Sequence, residues 1–290
     1  MKKFKNTVAF TVVVVVGFVA WSQTYPVTVV DDRGIEITIA NRPERIISIG
    51  ALYTEFLIDL GGLDRLVAVA ESPDNPTAVA NLPIVGSSFA PNVEVILSLE
   101  PDLVLGATDW GGERPALEKA GVTVLTTPLL TSLPDLFTAV RTVGIASGLK
   151  SEAEVLIGQI AEAVIRIESD ALGPLRVRTA FLYAGTPDTP PYAGGSGTIE
   201  HELILRAGGE NVFADVAGFP QVSFEAILSS DPEVIFTDPS HIANIVDNPL
   251  LGAVSALKHN RVHGIKASHV TSTKVAEVLK AMSELLHPEG

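Results

Sequence analysis

Residues 92–105 read NVEVILSLEPDLVL, and residues 223–236 read SFEAILSSDPEVIF. Laid over one another without a gap, Glu94 falls on Glu225, Ile96 on Ile227, Leu97 on Leu228, Ser98 on Ser229 and Pro101 on Pro232. An acid stands before and after each proline: Glu100 and Asp102, then Asp231 and Glu233. Each copy predicts the same small unit. Asn92 or Ser223 offers a side-chain oxygen to the free amides of a first helical turn. The glutamate sits in that turn, where the helix dipole favours negative charge. Proline ends the helix early, because it cannot continue the hydrogen-bond ladder. The apolar run beyond it predicts a buried strand. The copies lie about half the mature chain apart, which predicts two lobes built alike.

The elements around the two copies alternate. Residues 27–40, VTVVDDRGIEITIA, predict a hairpin turning at Asp32-Arg33-Gly34. Arg45 to Ile49 predicts a strand, followed by a helix that runs to Gly61-Gly62 with Thr54 as its N-cap. Leu66 to Ala70 and Val122 to Thr126 predict strands, and Glu113 to Ala120 and Leu133 to Ala146 predict helices. Ser151-Glu152-Ala153-Glu154 has the spacing of a capping box. The helix behind it carries Leu156, Ile160, Val164 and Ile167 on one stripe, until Leu172-Gly173-Pro174 stop it. It would be a rod of roughly 30 Å, long enough to join two lobes. Beyond it, Val177 to Tyr183 predicts a strand, Ile199 to Ala207 a helix, Arg261 to Ile265 a strand and Ser272 to Leu286 a closing helix, and Asn244 to Leu257 contains another helix. Short apolar strands alternating with helices predict an α/β fold of two lobes with mostly parallel sheets, joined by one long helix. The expected division is a signal segment at 1–22, a first lobe at 23–150, a linking helix at 151–173 and a second lobe at 174–290.

The 290 residues include no cysteine, which excludes disulfides, thiol catalysis, thiolate metal ligands and a lipid-modified cysteine anchor. Acids outnumber bases 34 to 20, a net charge of −14. That balance argues against nucleic acid as a partner, since phosphate binding needs a basic face. Lys2, Lys3 and Lys5 precede an apolar stretch from Thr7 to Ala20, and Ala20-Trp21-Ser22 has the small residues of a cleavage site. The expectation is an exported, periplasmic protein whose signal peptide is cleaved after Ser22; the rival reading is an uncleaved anchor, for which the apolar run is short, since a membrane span needs ~20 residues.

The segments RIISIGALYTEFLIDLGGLDRLVAV, NVEVILSLEPDLVLG, YAGGSGTIEHELILRAGGENVF and PQVSFEAILSSDPEVIF, with the ending LLHP, resemble the solute-binding proteins of ABC importers for iron chelates, haem and cobalamin. The resemblance runs from about residue 28 to the end. It implies two α/β lobes bridged by a helix, a metal-chelate ligand in the cleft, the permease subunits of an ABC transporter as partner, no cofactor and a monomer. It also implies a role for the repeated glutamates: one on each lobe docks onto arginines of the permease, and Glu94 and Glu225 match those positions. Exposed charge pairs add only roughly 0–1 kcal/mol each, yet they set orientation and encounter rate.

Ligands of open α/β sheets bind at loops beyond the carboxyl ends of strands. Tyr53, Phe89 and Trp110 fall at such places in the first lobe, and Tyr192, Phe219, Ser268 and His269 in the second. Their rings could line a cleft for a flat chelate. Phe89 and Phe219 match aromatic pocket positions of cobalamin-binding relatives, which often carry tryptophan there. Anionic siderophores and haem propionates would call for cations, and only Arg114 and Lys266 lie near the expected cleft. The expectation is therefore a corrinoid such as cobalamin, or an iron-siderophore complex of low charge. Haem, ligated by Tyr53, Tyr192 or His269, is the alternative.

Other readings are weaker. His259, His263 and His269 have loose metal-ligand spacing, but a turn and a strand would split them. Gly194-Gly195-Ser196-Gly197-Thr198 resembles a phosphate loop without its lysine. An exported hydrolase using Ser196 lacks any recognised nucleophile motif; the expectation is a binding protein with no enzymatic activity and no metal site of its own. A sensor or adhesion module could reuse the same fold.

Overall fold

A computed structural model describes residues 23–107, 113–171, 173 and 175–288 of the chain. The chain opens with a hairpin of β1 (Val27–Val30) and β2 (Glu36–Ile39), which lies against the helix that later leads out of the first lobe. The first lobe follows: β3 (Ile46–Ile49), α1 (Ala51–Asp59), β4 (Leu66–Glu71), β5 (Ile84–Ser87), α2 (Val93–Ser98), β6 (Leu103–Ala107), α3 (Glu113–Lys119), β7 (Val124–Thr127) and α4 (Leu133–Ser147). Helix α5 (Lys150–Asp170) crosses to the second lobe. There the order is β8 (Val177–Tyr183), β9 (Tyr192–Ala193), α6 (Ile199–Arg206), β10 (Gly209–Asn211), α7 (Phe224–Ser230), β11 (Val234–Thr237), α8 (Ile242–Val246), α9 (Ser255–Lys258), β12 (Val262–Gly264), α10 (Ala267–Val270) and α11 (Val275–Leu286).

The two sheets have matching order. The first runs β5-β4-β3-β6-β7 and the second β10-β8-β11-β12, all parallel along these paths, with β9 antiparallel to β8. In both lobes the strand of the repeated unit pairs with the lobe's opening strand, Ile47 facing Val104 and Ala180 facing Ile235. All four residues of β3, of β7 and of β11 are buried, as expected of strands covered on both faces.

One apolar cluster runs through both lobes. It includes Phe56 and Leu105 of the first lobe, Ile157 and Ile160 of α5, and Phe181, Phe236 and Leu279 of the second. Each lobe also has a smaller cluster on the far face of its sheet. Fully burying one such side chain is worth about 1.5–3 kcal/mol, so the shared cluster binds the lobes to α5 as firmly as any core. Helix α5 packs on both α4 and α11.

Three local expectations are corrected. Helix α1 starts at Ala51 with Gly50 as its N-cap; Thr54 lies inside it and donates to Ser48 Oγ at 2.9 Å. No capping box forms at Ser151: α5 starts at Lys150, and Glu154 pairs with Arg141 Nε of α4 at 2.6 Å. The charged partner on the neighbouring helix outcompetes the local backbone amide. The buried stripe of α5 is Ala153, Ile157, Ile160 and Val164, with Leu156 and Ile167 at its edge. The stop signal at Leu172 and Pro174 and the segment 1–22 lie outside the described residues.

Candidate functional site

The second lobe presents a ring-lined wall at the carboxyl end of its sheet. β8 ends at Tyr183, and β9 sets Tyr192 opposite it. The Phe219 ring meets Tyr183 edge-on at 6.0 Å, and the His241 ring does so at 6.4 Å. Behind them Thr198 caps α6 by accepting from the His201 amide, which places Glu200 in the first turn under the sheet end. Tyr183 donates its hydroxyl to Glu200 Oε1 at 2.7 Å. Burial pushes the Glu200 carboxyl up, against the pull of the Tyr183 and Thr198 hydrogen bonds. Burial and the neighbouring carboxylate push the Tyr183 hydroxyl up as well. Asp238, just past β11, accepts from the Ala267 amide at 3.0 Å and so ties α10 to the end of the sheet.

The first lobe's wall is different. Tyr53 was a candidate cleft ring, but it is only 3% exposed and packs in the core. Because α1 begins at Ala51, Tyr53 falls in its first turn, edge-on to Phe56, with its hydroxyl 2.6 Å from Thr127 Oγ1. Phe89 is 92% exposed at the tip of the turn that follows β5. That turn is tight: Gly86 has φ +98°, and a Cβ there would lie 2.8 Å from the Ala90 carbonyl. Trp110 lies outside the described residues. Tyr192 is 50% and Phe219 46% exposed, and His269 is partly exposed. Tyr183 and His241 were missed in the sequence, where Tyr183 reads only as the last residue of a strand.

Between the lobes lies a pocket of about 420 Å³, whose lining includes Leu52, Glu55 and Asn75 from the first lobe and Lys266, Ser268 and His269 from the second. Its charges are already paired across the lobes. Lys266 Nζ sits 2.9 Å from Asp74 Oδ1, and Lys274 Nζ sits 2.9 Å from Glu55 Oε1. Thr273 also donates to Asp59. Arg114, the other cation expected near the cleft, is instead buried under the hairpin. It binds Asp31 at 2.6 Å, Asp32 at 3.0 Å and Glu118 at 3.2 Å. Its place on α3 turns it towards three carboxylates, and a buried guanidinium needs such partners.

The repeated units carry Glu94 and Glu225 exposed in the first turns of α2 and α7. Asn92 accepts from the Val95 amide and Ser223 from the Ala226 amide, so both N-caps form as the sequence predicts. The backbone amide of Glu225 itself and the Ser223 hydroxyl hold its carboxyl below the ordinary value. The match extends further than the repeat. Glu100 and Asp231, at equivalent positions, both have positive φ, +47° and +37°. Arg45 Nη2 donates to the Leu99 carbonyl at 2.7 Å, and Arg178 Nη2 donates to the equivalent Ser230 carbonyl. Each arginine thus caps the carboxyl end of its lobe's repeated helix, where the dipole favours a cation.

The remaining motifs are put to structural use. The amides of Gly194, Gly195 and Ser196 are spent on the carbonyls of Phe181, Gly218 and Val216, so the glycine loop closes on the protein rather than cradling phosphate. A Cβ on Gly195 would lie 2.1 Å from the Val216 carbonyl, which is why only glycine fits. Ser196 donates its hydroxyl to the same carbonyl at 3.1 Å. His259 Nδ1 lies 2.9 Å from the Ser255 carbonyl of its own helix, and His263 packs near Phe236. Among the described residues no group of three His, Cys, Asp or Glu side chains is placed to hold a metal ion.

The family model "Periplasmic binding protein" matches residues 46–268. A Bacillus subtilis (strain 168) protein, an uncharacterized ABC transporter substrate-binding lipoprotein, is 27% identical over 277 residues, covering 92% of this chain and 88% of the relative. A cobalamin-binding protein of Halobacterium salinarum is 26% identical over 279 residues, covering 91% and 75%. Among solved structures, a heme-binding protein from Roseiflexus superposes with a TM-score of 0.76 at 24% identity, covering 84% of this chain and 98% of that one. A protein of an Fe3+-hydroxamate transport system from Saccharomonospora viridis does so with a TM-score of 0.75 at 25% identity, covering 90% and 99%.

Proposed function

We propose that this chain, which belongs to the periplasmic binding protein family, captures a bulky metal chelate of low charge between its lobes and delivers it to the permease of an ABC importer. The observation that carries the ligand class is the character of the cleft. Tyr192 and Phe219 of the second lobe are partly exposed and Phe89 of the first is exposed, while both pocket lysines are already matched by Asp74 and Glu55. Rings offer area to a flat macrocycle. Neutralised lysines offer little to a carboxylate or catecholate, which needs a cation of its own. A corrinoid fits this description first, and a neutral ferric hydroxamate second. Haem is the second reading, favoured by the partial exposure of Tyr192 and His269 as iron-ligating groups.

Export through residues 1–22, with cleavage after Ser22, belongs to the same reading, as does action as a monomer that docks through Glu94 and Glu225. The family is one of binding proteins, and among the described residues no helix is long and apolar enough to cross a membrane. Calorimetric titration with cyanocobalamin, a ferric hydroxamate, a ferric catecholate and haemin tests the ligand. Micromolar or tighter binding of the corrinoid or the hydroxamate is expected. Binding of the catecholate alone would overturn the reading.

A further inference from the structure

We infer that the inter-lobe pocket is a subsite for neutral carboxamide groups at the edge of the ligand, and that Asn75 and Ser268 determine this specificity. The inference rests on the reading of the cleft as a chelate site and refines it.

Two residues that line the pocket each hold a buried polar atom without a partner among the described residues. Asn75 Nδ2 donates to the Ala70 carbonyl at 2.8 Å, which fixes the amide and leaves Oδ1 as the acceptor. Oδ1 is buried and has no partner among the described residues. Ser268 Oγ, from the opposite lobe, is likewise buried without a partner. Both residues line the same pocket. Buried polar atoms are almost always paired, because an unpaired one forfeits its bonds to water. Two orphans on residues that line one pocket from two lobes mark a place where a third party, entering as the pocket opens, completes them. One is an acceptor and the other is a hydroxyl donor. A primary carboxamide offers the complement, an N–H for Asn75 Oδ1 and a carbonyl oxygen for Ser268 Oγ.

The charges around the orphans select against the acid. Lys266 is held by Asp74 and Lys274 by Glu55, each at 2.9 Å. A ligand carboxylate entering here meets two carboxylates of the protein and no uncommitted lysine. It also lacks the N–H that Asn75 Oδ1 requires. The amide meets none of this opposition. Discrimination therefore arises from the mismatch of the wrong ligand as much as from the fit of the right one.

The test uses matched pairs of chelates that differ only in these groups: cyanocobalamin against its monocarboxylic acids, and the bis-amide of haemin against haemin itself. Affinities are measured for the parent protein and for Asn75→Leu and Ser268→Ala. In whichever pair binds, the amide form is expected to bind about tenfold tighter, equal to about 1.4 kcal/mol. Each substitution is expected to cut that ratio severalfold; Ser268→Ala should leave the melting temperature within a degree or two of the parent's, while Asn75→Leu lowers it by a few degrees because it frees the Ala70 carbonyl. If the corrinoids do not bind but the haem pair does with the amide preferred, the corrinoid assignment fails and the subsite stands. Equal affinity for amide and acid forms, or a preference for the acid, overturns the subsite and leaves the cleft reading intact. A ratio unchanged in both variants shows that Asn75 and Ser268 are not the cause and overturns their assignment. Binding of neither chelate pair overturns the subsite, and the cleft reading then rests on the titration with the ferric hydroxamate.

Discussion

Each lobe keeps a tyrosine at or just past its opening strand, and the two hydroxyls have opposite surroundings. Tyr53 is sealed in the core and shares its hydroxyl with neutral Thr127. Tyr183 is partly exposed, stands among Phe219, His241 and Tyr192, and gives its hydroxyl to the buried carboxyl of Glu200. The repeated units show the reverse pattern. There the N-caps, the exposed glutamates, the positive-φ acids and the capping arginines correspond pair by pair.

The largest effect should come from breaking the likeness of the repeated units. Glu94→Arg with Glu225→Arg is expected to reduce uptake by about a hundredfold or more, since facing like charges costs several kcal/mol. Ligand affinity should stay within about twofold of the parent's, because neither residue lines the pocket between the lobes. Normal transport by the double variant in a reconstituted importer would refute the docking role.

The next effect concerns whether the lobes are separate in stability. Phe56 and Phe236 are fully buried in one cluster that crosses α5. Truncating either to alanine should cost about 3–5 kcal/mol. In both variants calorimetry should show one transition, shifted as a whole. A second transition appearing only in Phe236→Ala would show that the second lobe unfolds on its own.

Glu200 sharpens the contrast between the inner walls. Burial raises its carboxyl, so the folded protein holds the proton to higher pH than the unfolded chain does. Between the unfolded value, about 4.3, and the raised folded value, the native state binds more protons, and stability falls as pH rises. Glu200→Gln removes that loss. The variant should therefore gain on the parent as pH rises through the window, and the two should converge below it. A parent that instead gains on the variant with rising pH would mean that the Tyr183 bond outweighs burial.

The smallest effect should come from the ion pairs that join the lobes. Lys266→Met with Lys274→Met removes two partly exposed pairs, each worth about 0–1 kcal/mol. Stability should change little. Small-angle scattering should show a radius of gyration that hardly differs with and without ligand, because α5 bends only by breaking backbone hydrogen bonds. A large ligand-dependent fall would refute the stiffness of α5.

The repeat was legible because its signals are local. A cap residue, a first-turn acid and a proline act within a few positions of one another, and Asn92 and Ser223 cap as expected. Ser151 shows where local signals fail: Glu154 had a second choice, Arg141 on the neighbouring helix, and took it. Arg114 failed in the same way, since Asp31 and Asp32 reach it only through the packing of the hairpin on α3. The rings divided according to helix phase. A start at Ala51 instead of Thr54 put Tyr53 into the core.

The amino-acid sequence by itself determined the two like units, the parallel α/β lobes, the long connecting helix and the family. Those follow from periodicity, caps and chain-breaking residues, which act along the chain. Only the tertiary structure decided which rings are buried and which exposed, that both lysines of the pocket are already paired, that Arg45 and Arg178 cap equivalent helices, and that Glu200 lies buried behind Tyr183. Those depend on which side chains meet from distant positions, and no spacing within one segment encodes the charge or burial that a partner from another segment supplies.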